Sequence, residues 1–132
     1  MQRPLLLASA VNGFLGVALG AFGAHGLEKR LAELPDVARR LAWWDTASHY
    51  HLLHAVALAA IALAADRLPG PWVGRAGVAM LVGIVLFSGS LYAMTLTGAT
   101  ALGAITPLGG VGFLLGWLAL GIAAARAPAP QS

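Results

Sequence analysis

Cysteine is missing from the 132-residue chain, and charged side chains are scarce. The absence of cysteine excludes disulfides, thiolate catalysis and metal or iron–sulfur sites built on thiolates. Charged residues make up 10% of the chain, whereas a soluble domain usually carries about 25% because its surface faces water. Eight basic and five acidic side chains are too few to cover a globule of this size. The composition therefore argues against a water-soluble enzyme and against a disordered chain.

Apolar residues dominate what is present, since they form 59% of the chain and the mean hydropathy is +0.81. Such a composition is typical of an integral membrane protein, and residues 1–132 suffice for a single membrane domain. The net charge of +3 does not indicate a nucleic-acid partner, because the basic residues lie at the edges of apolar stretches and form no continuous stripe. Membrane insertion favours basic residues at these positions.

Charged residues divide the chain into three long uncharged runs, which cover residues 4–27, 46–65 and 76–125. A bilayer core about 30 Å thick needs roughly 20 apolar residues per helix, so the first two runs fit one crossing each and the third fits two. Threonine and glycine at 97–100 favour a turn, and Pro107 suits the first turn of the next helix. The sequence predicts an all-α membrane protein, a bundle of four transmembrane helices near 5–27, 43–65, 72–94 and 101–125.

The first apolar run also resembles a signal peptide, because Met1-Gln2-Arg3 precedes it. Its apolar part is longer than the roughly 7–15 residues usual for such a segment. Its regularly spaced glycines also suit permanent packing, so we expect the run to be retained as the first span.

The segment 28–42 is the longest charged stretch of the chain. Its leucines recur at helical spacing, and Trp43 and Trp44 follow it where a headgroup boundary would lie. We expect a short amphipathic interfacial segment between helices 1 and 2. Four basic residues fall on each side of the predicted bundle, so the positive-inside rule does not decide its orientation.

Small residues mark one face of the first and last predicted helices. The glycines concerned are Gly13, Gly16, Gly20 and Gly23 in helix 1, and Gly112 and Gly116 in helix 4. Spacings of three and four place such residues on one side of a helix, and small side chains let helices approach closely in lipid. We expect helix-packing faces within the bundle. Self-association, or a contact with another membrane protein along the same faces, is the alternative.

Polar side chains gather at one end of the predicted bundle, on the side that holds the helix 1–2 connection and the helix 3–4 turn. His51 and His54 are three residues apart and share a face of helix 2, where His25 of helix 1 could meet them. The full candidate cluster is His25, Thr46, Tyr50, His51, His54, Ser88, Tyr92 and Thr106.

Three interpretations of this cluster remain open. The histidines could hydrogen-bond across helices and fix their register, as intramembrane polar side chains often do. His25, His51 and His54 could ligate a metal ion or haem, although a single HxxH spacing is a weak signal. The cluster could instead bind a lipid headgroup, a quinone or a small apolar ligand, or relay protons.

Familiar catalytic constellations are missing from the sequence, which has no HExxH motif, no paired intramembrane carboxylates and no phosphate loop. We therefore expect a binding or scaffold protein for a lipid or a membrane partner, without catalysis and with no cofactor. The alternative is a haem-, metal- or quinone-binding membrane protein that uses the histidine cluster.

Several motifs together resemble one family, the bacterial domain of unknown function 423, which includes the eukaryotic transmembrane protein 256. The matching stretches are Gly20–Leu27 (GAFGAHGL), Trp44–Ala47 (WDTA), Tyr50–Ala55 (YHLLHA), Phe87–Tyr92 (FSGSLY), Leu96–Gly98 (LTG), Ile105–Gly110 (ITPLGG) and Gly116–Trp117. The resemblance covers nearly the whole chain and implies a small multi-pass protein of a bacterial inner membrane. It also implies motif roles for His25, Tyr50, His51, His54, Ser88, Tyr92, Thr106 and Pro107. It implies no molecular activity, and His49 lies outside the pattern.

Overall fold

Four long helices make up the fold, which is given by a computed structural model that describes residues 1–128. They are α1 (Arg3–Leu31), α2 (Val37–Ala64), α3 (Trp72–Thr97) and α4 (Thr106–Ala125), with a short 3₁₀ helix at Thr100–Ala104 before α4. Four spans in this part of the chain are long and apolar enough to cross a membrane. The predicted all-α bundle of four transmembrane helices is therefore confirmed. The single domain was predicted for residues 1–132, of which 129–132 lie outside the described residues.

The turn between α3 and α4 lies where threonine and glycine predicted it. Gly98 ends α3 in the left-handed conformation, at φ +72°, and its N–H donates to the Met94 carbonyl at 2.8 Å. Glycine adopts this conformation without a steric penalty, which is why it commonly terminates helices. Pro107 then occupies the first turn of α4, where its missing N–H leaves no hydrogen bond unmade.

The charged segment 28–42 is formed by the ends of α1 and α2 and the turn between them, rather than by a separate surface helix. Leu27 and Leu31 extend α1 by two turns and are buried with Trp44 of α2. The Trp44 indole also donates to the Leu19 carbonyl at 2.8 Å. The helical spacing of the leucines therefore reflects packing between two helix ends, while most of the charged side chains stay exposed.

The main hydrophobic core lies between α2, α3 and α4, and it contains Leu58, Ile61, Met80 and Phe113. By contrast, α1 packs chiefly along α2, so much of its surface points away from the bundle. Phe14 is 76% exposed there. Leu7, Val11 and Val17 are also exposed and apolar, so this outer face suits contact with lipid chains.

Glycines of α4 bring its backbone against α3. A Cβ at Gly109 would collide with the Phe87 backbone nitrogen, and a Cβ at Gly112 would lie 3.2 Å from the Gly83 Cα. Gly116 makes room for Met80, whose sulfur would be 2.9 Å from an added Cβ. This close approach is the geometry expected when van der Waals packing, rather than a hydrophobic force, holds helices together in lipid.

The four glycines of α1 do not all lie on one packing face, although the sequence predicts that they do. Gly16 packs against Leu52 and Gly23 against Trp44, whereas a Cβ at Gly13 or Gly20 would meet no atom within 4 Å. Residues seven apart lie on one helical stripe, so Gly16 and Gly23 share a stripe that is rotated by roughly 60° from that of Gly13 and Gly20. The structure thus narrows the packing face of α1 to Gly16 and Gly23.

Arg40 joins α2 to α3 at the end of the bundle that holds the α1–α2 and α3–α4 connections. Arg40 donates from Nε to the Asp36 carboxylate at 2.9 Å and from Nη1 to the Thr95 carbonyl at 3.1 Å. The Thr95 hydroxyl returns a hydrogen bond to the Arg40 carbonyl at 3.1 Å. The guanidinium therefore lies beside the C-terminus of α3, where the helix dipole favours a positive charge.

Replacement of Gly109 by alanine is expected to destabilise the bundle by about 2 kcal/mol, because the new Cβ would collide with the α3 backbone. Thermal unfolding in detergent would measure the change. Gly121→Ala is the matched control, since a Cβ at Gly121 meets no atom within 4 Å and alanine is the better helix former. Equal melting temperatures for the two variants would contradict the α3–α4 packing.

Acid is expected to weaken the Arg40 contact. The hydrogen bond from Arg40 lowers the pKa of the Asp36 carboxyl below its ordinary value of 3.8. A carboxyl whose pKa is lower in the folded state stabilises the fold above its ordinary pKa and loses that contribution as the pH falls through the folded value. The melting temperature of the native chain should therefore fall more than that of Asp36→Asn between about pH 5 and pH 3. Parallel acid profiles would refute this coupling.

Candidate functional site

His51 connects three helices through both of its ring nitrogens. Asn12 of α1 donates through its amide to the Ala8 carbonyl at 2.8 Å, which turns Oδ1 of Asn12 toward His51 Nε2 at 3.1 Å. Since an amide oxygen only accepts, Nε2 of His51 carries the proton. In the neutral ring Nδ1 then accepts from the Tyr92 hydroxyl of α3 at 3.2 Å. His51 therefore holds α1, α2 and α3 in a defined register.

His54 makes the second cross-helix connection, one turn farther along α2. Its Nδ1 donates to the Tyr50 carbonyl at 2.8 Å, and its Nε2 accepts from the Trp117 indole of α4 at 3.3 Å. The imidazole also stacks on Phe113, with ring centroids 3.6 Å apart and planes 12° from parallel. Both ring nitrogens of His54 are occupied, and one face of the ring is covered.

Hydroxyl groups join the same region of the bundle to backbone and side-chain acceptors. Ser88 of α3 is fully buried and donates to the Ala47 carbonyl of α2 at 2.8 Å. Ser90 and Thr106 share a hydrogen bond of 2.6 Å that links α3 to the start of α4. These contacts satisfy polar groups that would otherwise be costly to bury in the hydrocarbon layer.

The structure brings most of the predicted cluster into this network but leaves two of its members outside. His51, His54, Tyr92, Ser88 and Thr106 form the cross-helix bonds described above, and Tyr50 packs beside them. Thr46 and His25 are exposed. Within residues 1–128 no group of three or more histidine or acidic side chains is arranged to hold a metal ion.

The predicted meeting of His25 with His51 is therefore corrected, because Asn12 occupies that position on α1. The two α1 residues are thirteen apart, which corresponds to about 20 Å along a helix. Since α1 continues to Leu31, His25 lies well beyond the depth of His51. The sequence contains a pattern that places Asn12 on a packing face of α1. Ser9, Asn12 and Gly16 follow i, i+3, i+7 spacing on one side of the first span.

An aromatic groove opens between α2 and α4 beside the His54 contact. We define it by Tyr50 and His54 of α2, Phe87 of α3, and Phe113 and Trp117 of α4. Its volume is about 500 Å³. Pro107, Gly110, Val111 and two leucines complete a lining that is almost entirely apolar.

A π-helical turn at Ile84–Ser88 positions one wall of the groove. It places the Phe87 ring against Tyr50, with centroids 4.6 Å apart, while the next residue, Ser88, reaches the Ala47 carbonyl. Turns of this kind widen a helix by one residue and are frequent at functional sites. The sequence contains no signal that distinguishes this turn from ordinary α-helix.

Comparison with known proteins identifies relatives that cover nearly the full length of the chain. The family described as Protein of unknown function (DUF423) matches residues 19–110. UPF0382 membrane protein YwdK of Bacillus subtilis (strain 168) is 48% identical over 95% of this chain and 98% of its own length. UPF0382 inner membrane protein YgdD of Escherichia coli (strain K12) is 39% identical over 95% and 92% respectively. No solved structure matches. These findings confirm the family resemblance and the predicted membrane localisation.

A double-mutant cycle would test the bond between Asn12 and His51. Asn12→Leu is expected to lower the free energy of unfolding because it leaves the His51 N–H without an acceptor in the membrane interior. The double variant Asn12→Leu/His51→Leu should be less destabilised than the two single effects combined, by about 1 kcal/mol. Denaturation in detergent supplies the four stabilities, and strict additivity would show that the contact contributes nothing.

Proposed function

We propose that this chain, which belongs to the DUF423 family of membrane proteins, binds a membrane-soluble molecule with a planar headgroup and a hydrocarbon tail. Quinones are the chemical class that fits this description. The supporting observation is the aromatic groove, whose rings come from three helices and surround an opening of about 500 Å³. Sites for small organic ligands usually have volumes of about 300–1,000 Å³ and mostly apolar linings.

Flat rings at the groove favour a planar occupant. His54 and Phe113 already form a stack, and Tyr50 lies nearly parallel to His54, at 13° with centroids 6.0 Å apart. Aromatic surfaces prefer offset or edge contacts with other rings, so a flat headgroup can extend this arrangement. The lining residues belong to membrane-spanning helices, which means that the occupant must come from the bilayer itself.

Tyr50 is the lining residue best placed to contact a polar headgroup. It is 39% exposed and brings a hydroxyl group to an otherwise apolar surface. A phenolic hydroxyl can donate to a carbonyl oxygen, such as those of a quinone ring. His54 supports the wall without contributing a free nitrogen, since both of its ring nitrogens are hydrogen-bonded within the protein.

The same hydrogen bonds weigh against the alternative of a haem or metal ion on the histidines. Ligation through His51 would break its bond with Asn12 or with Tyr92, and ligation through His54 would displace Tyr50 or Trp117. A metal-bound histidine keeps its second nitrogen hydrogen-bonded, but the first must be free to reach the metal. The geometry accordingly favours the histidines as structural supports of a binding groove.

A side chain that fills the groove should abolish binding without disturbing the bundle. Gly110 lines the groove, and a Cβ there would meet only the edge of Phe87, at an ordinary contact distance of 3.9 Å. Gly110→Leu is expected to weaken binding of a short-tailed quinone, menaquinone-4, by at least about tenfold through steric exclusion. Equilibrium dialysis against the protein in nanodiscs measures the affinity.

Gly121→Leu serves as the matched control, because it adds the same side chain to the same helix at a position with open space around it. It should bind menaquinone-4 as the native chain does. Binding that is equal in all three proteins, or absent from the native chain, would refute the proposal. Copurification of another membrane protein with the native chain, but not with Gly110→Leu, would assign the groove to a protein partner instead.

A further inference from the structure

The opposite end of the bundle carries a second feature, which is independent of the aromatic groove. Trp72 lies at the start of α3, and two arginine side chains stack on its indole ring. The guanidinium carbon of Arg75 is 4.7 Å from the ring centroid, and that of Arg126, just beyond α4, is 5.3 Å from it. Both positive charges thus lie beside one tryptophan at the end of the α3–α4 pair.

These two charges have no acidic counterpart in the described part of the chain. The salt bridges within residues 1–128 involve Asp36 and Asp66, and neither Arg75 nor Arg126 takes part in them. A guanidinium that stacks on an aromatic ring keeps its N–H groups available around its edge, where they can bind a phosphate in a bidentate manner. The pair therefore presents an anion-binding surface at the level where a tryptophan marks the membrane boundary.

Two apolar grooves run from Arg75 into the membrane-spanning part of the bundle. The larger, of about 450 Å³, follows α3 past Gly74 and Val82, and the smaller, of about 220 Å³, follows α4 past Leu118 and Ile122. Arg75, Ala79 and Leu115 belong to both. The grooves therefore lie side by side, and these three residues form the wall that they share.

We propose that this surface binds one anionic phospholipid of the bilayer. Arg75 and Arg126 contact the phosphate, and the two grooves receive the two acyl chains. Two positive charges that have no acidic partner within residues 1–128 favour a lipid with net negative charge over a zwitterionic one, whose cationic group they repel. Two grooves that meet at one arginine fit the two acyl chains of a diacylglycerol lipid. A free anion would leave both grooves empty.

Lipid titration of the full-length protein followed by native mass spectrometry tests this proposal. The native chain should retain one phosphatidylglycerol in preference to phosphatidylcholine of the same acyl chains, by about tenfold in affinity. Arg75→Gln/Arg126→Gln should lose most of that preference. Arg67→Gln is the matched control, since it removes a charge at the same end that does not stack on Trp72, and it should keep the preference.

A second pair of variants tests the grooves without changing any charge. A Cβ at Gly74 meets no atom within 4 Å, and the residue lines the larger groove, so Gly74→Leu should fill it and weaken phosphatidylglycerol binding by about fivefold or more. Gly89→Leu, on the same helix at a position that is also open, should bind as the native chain does.

Three results would overturn the proposal. Equal retention of phosphatidylglycerol and phosphatidylcholine by the native chain would remove the charge preference. Unchanged preference in the double arginine variant would show that the charges lie elsewhere. Displacement of the lipid by millimolar inorganic phosphate, together with native binding in Gly74→Leu, would show a simple anion contact that does not use the grooves.

Discussion

Polar groups inside a bilayer must find their hydrogen-bond partners within the protein, because no water is available there. This constraint accounts for the cross-helix contacts of the bundle. Ser9 donates to the Ala55 carbonyl and Ser88 to the Ala47 carbonyl, so α1 and α3 each reach the backbone of α2 through a serine. In residues 1–128 no buried side-chain nitrogen or oxygen lacks a partner. Each satisfied group also fixes how one helix is rotated and shifted against its neighbour.

The same constraint defines the chemical state of the histidines. Nε2 of His54 faces the N–H of Trp117, and Nδ1 faces the Tyr50 carbonyl. A protonated ring would place two donors against each other at Trp117, with no acceptor between them. Both ring nitrogens of His54 have a suitable hydrogen-bond partner only when the imidazole is neutral. His54 therefore stacks on Phe113 as a neutral aromatic ring whose nitrogens are both hydrogen-bonded. This role explains why a polar residue borders an otherwise apolar groove.

Part of this architecture follows from the sequence, and part depends on geometry that the sequence does not display. The spans were predictable because charges delimit runs of the length that a bilayer requires. The end of α3 at Gly98 was predictable from turn chemistry. Asn12 could not be predicted as the α1 partner of His51, because that pairing depends on the axial offset between α1 and α2. The α1 glycines show the same limit, since Gly16 contacts Leu52 whereas Gly20 contacts nothing.

The glycine contact between α3 and α4 connects the two proposed binding surfaces. On α4, Phe113 and Trp117 line the aromatic groove, while Leu115 borders the grooves that begin at Arg75. Gly109 lies between these faces, where the α4 backbone touches that of α3. Leu115 is two residues from both Phe113 and Trp117, and a spacing of two turns a side chain to nearly the opposite side of a helix. The backbone contact at Gly109 fixes the rotation of α4 against α3, so the two proposed binding surfaces depend on one shared packing interface.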